Sequence, residues 1–233
     1  GYEAAYADYY SGKLSHEDFV REVSRMEKAN TDWLGILLKN TFSHNHSINV
    51  SGGDACMRYY VSLGYMDERG NIKGELNQRY SLTSNLNMRL NKFSLQFGVR
   101  GNMQKRDYTP QSVGVTDYAY NTARSVSPYN EDGSLRYYQR QNEPGYSSPF
   151  NILNEIHNSE DKINTNQLNL NLNLQYEIMN SLTAGINLSY GISNSNEEIW
   201  FGEESWYIAK LRYSYLDEDY FGKNAIDKLK SVC

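Results

Sequence analysis

From 168 to 176 and again from 182 to 190 the sequence alternates strictly. Leu168, Leu170, Leu172, Leu174 and Tyr176 are interleaved with Asn169, Asn171, Asn173 and Gln175, and Leu182, Ala184, Ile186, Leu188 and Tyr190 with Thr183, Gly185, Asn187 and Ser189. A period of two puts every oily side chain on one face of an extended strand and every amide or hydroxyl on the other. A helix cannot sort these residues, so this stretch fixes the fold class as β. The same alternation organises Phe42, His44, His46, Ile48 and Val50; Tyr59, Val61, Leu63 and Tyr65; Tyr80, Leu82, Leu86 and Met88; and Phe93, Leu95, Phe97 and Val99. Six antiparallel strands are therefore expected, with a seventh around residues 206–215 whose faces are mixed.

One greasy face suits a soluble sandwich as well as a membrane barrel, and strand length separates the two. Globular strands cluster near roughly 5 to 6 residues, whereas a tilted strand crossing a bilayer needs roughly 9 to 11. Residues 167–178 and 182–192 are of the second kind, and no Asp, Glu, Lys or Arg interrupts 165–176 or 181–196. Connections give an independent test. A short link (52–57), a medium one (67–77), a tight turn (90–92), a very long loop (about 104–164), a tight turn (179–181) and a longer loop (193–205) alternate in length, as the two ends of an outer-membrane barrel do. All four prolines (Pro110, Pro128, Pro144 and Pro149) fall in the long loop, away from ladder-bonded backbone. Tyr65, Tyr80 and Tyr190 are expected near the long-loop ends of the apolar faces, and Phe93 and Tyr176 near the short-turn ends, as two interfacial girdles.

The expected architecture is thus all-β: an incomplete antiparallel transmembrane barrel portion of about six or seven strands, preceded by a short helical extracellular segment. Residues 1–41 form the helical segment and 42–233 the partial barrel. Ser15 begins a Ser-x-x-Asp capping box with Asp18, Leu14 is placed to staple against Phe19, Glu17 pairs with Arg21, and Phe19, Val23 and Met26 recur at helical spacing, which predicts a helix over 15–28. Parity places this segment on the long-loop side and requires at least one strand ahead of it. Because such barrels start at about eight strands, closure calls for chain beyond these residues.

Composition narrows the functional classes. With 233 residues and a net charge of −5, the chain offers no cationic footprint for a phosphate backbone, so no nucleic-acid partner is expected. No apolar run nears the roughly 18 residues of a membrane-spanning helix. Two cysteines, Cys56 and Cys233, allow at most one disulfide and no multi-cysteine zinc site, and Cys56 is expected as a buried or free thiol in a short turn. His44-x-His46 could chelate a metal, but no further ligand lies nearby, so interfacial histidines are the simpler reading. Glu197-Glu198 and Glu203-Glu204 carry no catalytic signature, and neither metal, cofactor nor enzymatic activity is expected.

Asn30-Thr31-Asp32-Trp33, then Phe42, the run from His44 through Ser51-Gly52-Gly53, Tyr59-Tyr60-Val61-Ser62-Leu63-Gly64-Tyr65, Gly70, Gly74 and Arg79-Tyr80-Ser81-Leu82 together resemble the SusC/RagA-type TonB-linked outer-membrane transporters. The resemblance spans about residues 2–196 and fades over the last forty, with Trp200-Phe201 and the charged tail at 217–230. It implies a 22-stranded barrel with an N-terminal plug. It further implies TonB-driven import of oligosaccharides or peptides across the outer membrane of a Gram-negative bacterium, with a SusD-like surface lipoprotein as partner, a TonB complex reached through a missing N-terminal part, and outer-membrane lipid around the barrel. The alternative is a secreted or surface β-sandwich serving as a glycan-binding or adhesin module. Tyr118, Tyr120, Tyr137 and Tyr138 in the long loop are the candidates for substrate or lid contact, against self-packing of the loop, and Asn169, Asn171 and Asn173 for the lumen-facing wall. Asp32 and Trp33 are expected to anchor a loop.

Overall fold

The computed structural model describes residues 2–143 and 146–215. It comprises helices α1 (Tyr2–Tyr10), α2 (His16–Lys28) and α3 (Trp33–Leu37), strands β1 (His44–Gly53), β2 (Met57–Arg69), β3 (Leu76–Leu90) and β4 (Phe93–Tyr108), helix α4 (Val115–Asn121), strands β5 (Tyr138–Glu143) and β6 (Tyr146–Phe150), helix α5 (Ile152–His157), strands β7 (Ser159–Met179) and β8 (Leu182–Phe201), and helix α6 (Trp206–Tyr215). These elements form two compact units. Among the described residues, one gathers 2–39, 109–143, 146–160 and 200–215; the other gathers Asn40–Tyr108 and Asp161–Ile199.

The second unit is an open six-stranded sheet in the order β1-β2-β3-β4-β7-β8. Its antiparallel registers carry one oily face across the strands: Ile48 faces Leu63, Leu63 faces Leu82, Leu86 faces Phe97, and Phe97 faces Leu172. Nothing in the unit covers that face, since Ile186 is 58% and Leu188 57% exposed while Leu170 and Leu172 are half-exposed. A sandwich would have hidden these four side chains in a dry core. The apolar band on β7 runs over residues 168–178, which at about 3.3 Å per residue and roughly 45° of tilt spans about 25 Å, the height of an outer-membrane apolar belt.

Rings and polar groups mark where the band ends. Tyr65 and Tyr80 pair across β2 and β3 with centroids 5.0 Å apart, and His44 joins them at 5.9 Å from Tyr65 and 5.0 Å from His46. Beyond this row, on the same face, Asp67 accepts from Arg69, Gln78 and Tyr65. Phe93 stands opposite Tyr176 near the other end. Tyr190 does not share the Tyr65–Tyr80 row: the side-chain bonds of Asn173 to Asn187 and of Ser189 to Asn171 place it level with Leu170, four residues deeper in register.

Further expectations need correction. Strands β4, β7 and β8 continue well past the apolar band, so the long connection is 109–158 rather than 104–164, and β8 reaches Phe201 where a loop from 193 was expected. Residues such as Gln104, Asn164 and Ser195 are polar and read as loop, yet the neighbouring strand satisfies their backbone whatever their side chains are; Gln104 pairs with Thr165 and Lys105 with Asn164. The seventh strand is helix α6: Ser205 Oγ accepts from the Ile208 N–H at 3.2 Å, and its carbonyl from the Ala209 N–H at 3.0 Å, starting a helix where aromatic residues suggested a strand. In α2 the cap is as expected, with Ser15 Oγ accepting from the Asp18 N–H at 3.1 Å, but Arg21 pairs with Asp18 and not with Glu17, and Phe19 stacks on Tyr9 at 4.9 Å.

Tight links join the strands at one end. Between β1 and β2, Asp54 accepts from the N–H groups of Cys56 and Met57 at 2.7 and 2.9 Å. Gly53 there has φ +135°, and a Cβ on it would lie 2.0 Å from the Met57 carbonyl oxygen, so no other residue fits without moving the backbone. Cys56 is exposed, which decides its environment in favour of a free surface thiol. Pro144 and Cys233, together with residues 217–230, lie outside the described residues. Pro149 sits within β6, opposite Gln139 in the two-stranded ribbon.

Candidate functional site

The first unit folds the long connection into a body with its own core. Trp33 is 3% exposed, Leu37 and Ile152 1% each, and Val113, Val115, Ala119 and Phe150 are buried. Asp32 caps α3 by accepting from the Gly35 N–H at 3.2 Å, which fixes the entry of Trp33. The indole ring meets Tyr118 edge-on at 5.0 Å and its Nε1–H donates to the Ala123 carbonyl at 3.2 Å, while the Thr31 N–H donates to the Arg124 carbonyl at 2.9 Å. The Asn-Thr-Asp-Trp block is thereby a structural anchor between the N-terminal helices and residues 109–124.

The four candidate tyrosines divide. Tyr118 packs between Trp33 and Phe150, and burial raises its phenol above the ordinary value. Tyr138 donates to the Ser127 carbonyl at 2.8 Å and accepts from the Ser127 N–H at 3.2 Å, with the Arg136 guanidinium over its ring. These two serve packing. Tyr120 (69% exposed) and Tyr137 (45% exposed) present their rings outward, although the Tyr137 hydroxyl donates to Asn154 Oδ1 at 3.1 Å. Tyr120 lines a cavity of about 410 Å³ with Thr31, Asp32, Trp33 and Arg124, whereas Tyr138 lines another of about 360 Å³ with Glu22, Arg25, Met26 and Arg136. Aromatic and polar walls of this kind can stack a flat solute and hold it by hydrogen bonds.

Electrostatics in this unit centre on two carboxylates that no sequence motif singles out. Glu22 accepts from Arg25 at 2.7 and 3.0 Å and from Arg136 at 2.6 Å. The Arg25 hydrogen bond, opposed by partial burial and helped by Arg136, holds its carboxyl below the usual range. Glu155 is buried at the start of α6, where both its oxygens accept from the Trp206 N–H, at 2.8 and 3.0 Å, and burial pushes it upward. Arg140 lies 4.5 Å from the rings of both Phe150 and Trp206. Asn151 donates to the carbonyls of Pro128 and Arg136 at 2.9 and 2.8 Å and caps α5. An Asn directly before an apolar run is a cap signal that could have been read; the partners of Glu155, 51 residues away, could not.

A depressed carboxylate contributes stability above its unfolded value and loses it as pH falls through the folded one. The Glu22 pairs are therefore expected to weaken this unit below about pH 4. Denaturation midpoints compared at pH 6 and pH 3 check this: Glu22→Gln should be less stable than the parent at pH 6 and lose less on acidification. Glu155 acts with the opposite sign, losing stability as pH rises past the ordinary carboxylate value.

On the sheet, Asn169, Asn171 and Asn173 share the polar face with Thr83, Asn85, Gly98 and Arg100. Two of the three asparagines are knitted to β8: Asn173 donates to Asn187 Oδ1, and Ser189 Oγ donates to Asn171 Oδ1 at 3.0 Å, with Thr165 and Ser195 3.0 Å apart further along. Glu197 and Glu198, being consecutive on β8, point to opposite faces and do not form a carboxylate pair. Among the described residues no cluster of three or more His, Cys, Asp or Glu side chains is arranged to hold a metal ion.

No protein-family profile matches the chain. It is 30% identical over 141 residues to the TonB-dependent receptor P26 of Formosa agariphila, covering 60% of this chain and 14% of that protein. It is 27% identical over 168 residues to the TonB-dependent receptor SusC of Bacteroides thetaiotaomicron, covering 64% and 17%. Among solved structures, the RagAB peptide importer in its closed-closed state superposes with a TM-score of 0.60 at 22% identity, over 77% of this chain and 21% of that one. The open-open state gives 0.58 at 23% identity, over 72% and 19%. The chain thus spans about a fifth or less of the length of these relatives and neighbours. Relatives and neighbours alike are named as receptors, transporters or importers, and none as an enzyme.

Proposed function

From the premise that this chain is similar in sequence and fold to a segment of the SusC/RagA-type TonB-linked outer-membrane transporters, we propose that it forms part of the wall and outer loops of an outer-membrane nutrient importer. Supporting this reading above all is the uncovered oily face of the six-stranded sheet, free of charge over a bilayer's depth and bounded by rings at both ends. Residues 2–39 and 109–158 stand on the cell surface, where exposed Tyr120 and Tyr137 meet cargo or a SusD-like lipoprotein. The cargo is an oligosaccharide or a peptide, and a plug and TonB contact are supplied by chain outside these residues. Mechanistically, cargo and lid stabilise a closed, loaded arrangement of the surface loops before the plug moves, a shift of populations set by their preference for that state.

Accessibility of thiols in intact cells tests the orientation. With Cys233→Ser as background, Cys56 in the β1–β2 link is expected to resist a membrane-impermeant maleimide until the outer membrane is permeabilised, and Tyr120→Cys to react at once. Labelling in the reverse order, or recovery of the protein in the soluble fraction, defeats the reading.

A further inference from the structure

Between the row of Arg79 and the row of Arg89, the polar face of the sheet carries four arginines and no carboxylate. Arg58 on β2, Arg79 and Arg89 on β3, and Arg100 on β4 all fall on that face by register: Arg58 is opposite Asn87, Arg79 opposite Met66 and Gln104, Arg89 opposite Ser94, and Arg100 opposite Thr83 and Asn169. Between the Arg79 row and the Arg89 row, every other position on that face is Asn, Gln, Ser, Thr, Gly, Tyr or Met apart from Cys56 in the adjoining link; its glutamates, Glu68, Glu177 and Glu197, lie outside those rows. All four arginines are exposed, and none makes an ion pair among the described residues. This concentration of positive charge is at odds with the chain's overall charge of −5.

The two halves of the face differ in kind. Across β7 and β8 the face is uncharged and partly self-bonded, Asn173 to Asn187, Ser189 to Asn171 and Thr165 to Ser195. Across β2, β3 and β4 the guanidinium groups remain open. Arg58 and Arg89 are one strand and two residues apart, about 8 Å between Cα atoms, while Arg79 and Arg100 are one strand and four residues apart, about 14 Å. Alternate side chains of an extended acidic chain recur every ~7 Å, close to the first spacing and half of the second. A guanidinium presents a planar fork that takes a carboxylate by two parallel hydrogen bonds, which an ammonium cannot do.

We propose that the β2–β4 half of this polar face is a binding track for oligomers bearing repeated carboxylates, and that acidic oligomers are the cargo class that the importer favours. The proposal rests on the reading of that face as the inner wall. Carboxylates can come from acidic peptides or from uronic-acid oligosaccharides, and the track recognises the chemistry they share.

The full chain, refolded in detergent micelles, is titrated with hexaglutamate, with hexagalacturonate, and with the neutral hexaglutamine and maltohexaose as controls of equal length. At low salt at least one acidic oligomer should bind more than about tenfold tighter than its neutral counterpart, a preference that salt screens. R58Q/R79Q/R89Q/R100Q should abolish the preference, R58Q/R89Q should reduce it severalfold, and K13Q/R212Q, at exposed ion pairs of the other unit, should leave it intact. Preference for hexaglutamate alone identifies peptides as the source, and for hexagalacturonate alone, carbohydrate. Equal binding of acidic and neutral oligomers overturns the proposal, as does a preference that survives R58Q/R89Q in protein retaining heat-modifiable migration. The membrane reading fails on a separate observation from the same preparation, namely a monodisperse chain that needs no detergent.

Discussion

Leu172→Arg is expected to prevent stable insertion of the chain into lipid vesicles, while Asn171→Arg, one residue earlier, leaves it inserted. Leu172 lies near the middle of the apolar band, opposite Phe97, and points to the uncovered face. A cation at that depth on the lipid side costs about 2 to 4 kcal/mol, enough to consume much of the stability of an open six-stranded sheet. Asn171 faces the polar side, where an added guanidinium stays hydrated and the loss is the hydrogen bond from Ser189, about 1 kcal/mol. The fraction that resists unfolding in unboiled gel samples, and the urea midpoint in vesicles, read both variants. Equal loss in the two removes the distinction between lipid and lumen on which the importer reading stands. In a sandwich both changes would be read in plain buffer without vesicles at all.

The second large effect belongs to the loop unit. Trp33→Ala is expected to destabilise it by about 3 to 5 kcal/mol, since a buried indole is removed, the Tyr118 ring loses its edge contact and the Ala123 carbonyl its donor. Residues 109–158 should then be cleaved by a protease at least about a hundredfold faster, because cleavage follows the opened population. Trp33→Phe keeps most of the apolar volume and should fall in between. Unchanged cleavage would mean that the Asn-Thr-Asp-Trp block is not the anchor its geometry describes. Hydrogen exchange in β2, β3 and β4 serves as the internal control and should not change.

How far the fold could be read in advance depended on whether each residue's neighbours were near it in sequence. Leu168 to Tyr190 announced their strands because alternation is a local property, and register followed from it, as a slip of one residue would turn every leucine to the polar side. Ser15 and Asp18 announced a helix start for the same reason. Asn164 and Ser195 did not announce a strand, because their place in the ladder is set by the strand alongside. Trp206, Tyr207 and Ile208 suggested a strand by composition and became a helix, with Ser205 and a glutamate 51 residues away holding its first turn.

The candidate site was legible in part. Aromatic density in the long connection was visible, but which rings would be spent on packing was not: Tyr118 and Tyr138 turn inward to partners such as Trp33 and Ser127, while Tyr120 and Tyr137 remain outside. The asparagine ladder falls on the polar face by register, and two of its members, Asn171 and Asn173, bond to β8. The arginines, scattered through the sequence at 58, 79, 89 and 100, align on one face only when three registers are known.

Side-chain periodicity determined by itself that this chain makes long antiparallel strands with one oily and one polar face, because the pleat fixes what each successive residue looks at. Tertiary structure alone decided which strands lie side by side, how far they run beyond the oily belt, and which polar groups find one another, because hydrogen bonds and ion pairs between distant residues depend on distances that spacing along the chain does not encode.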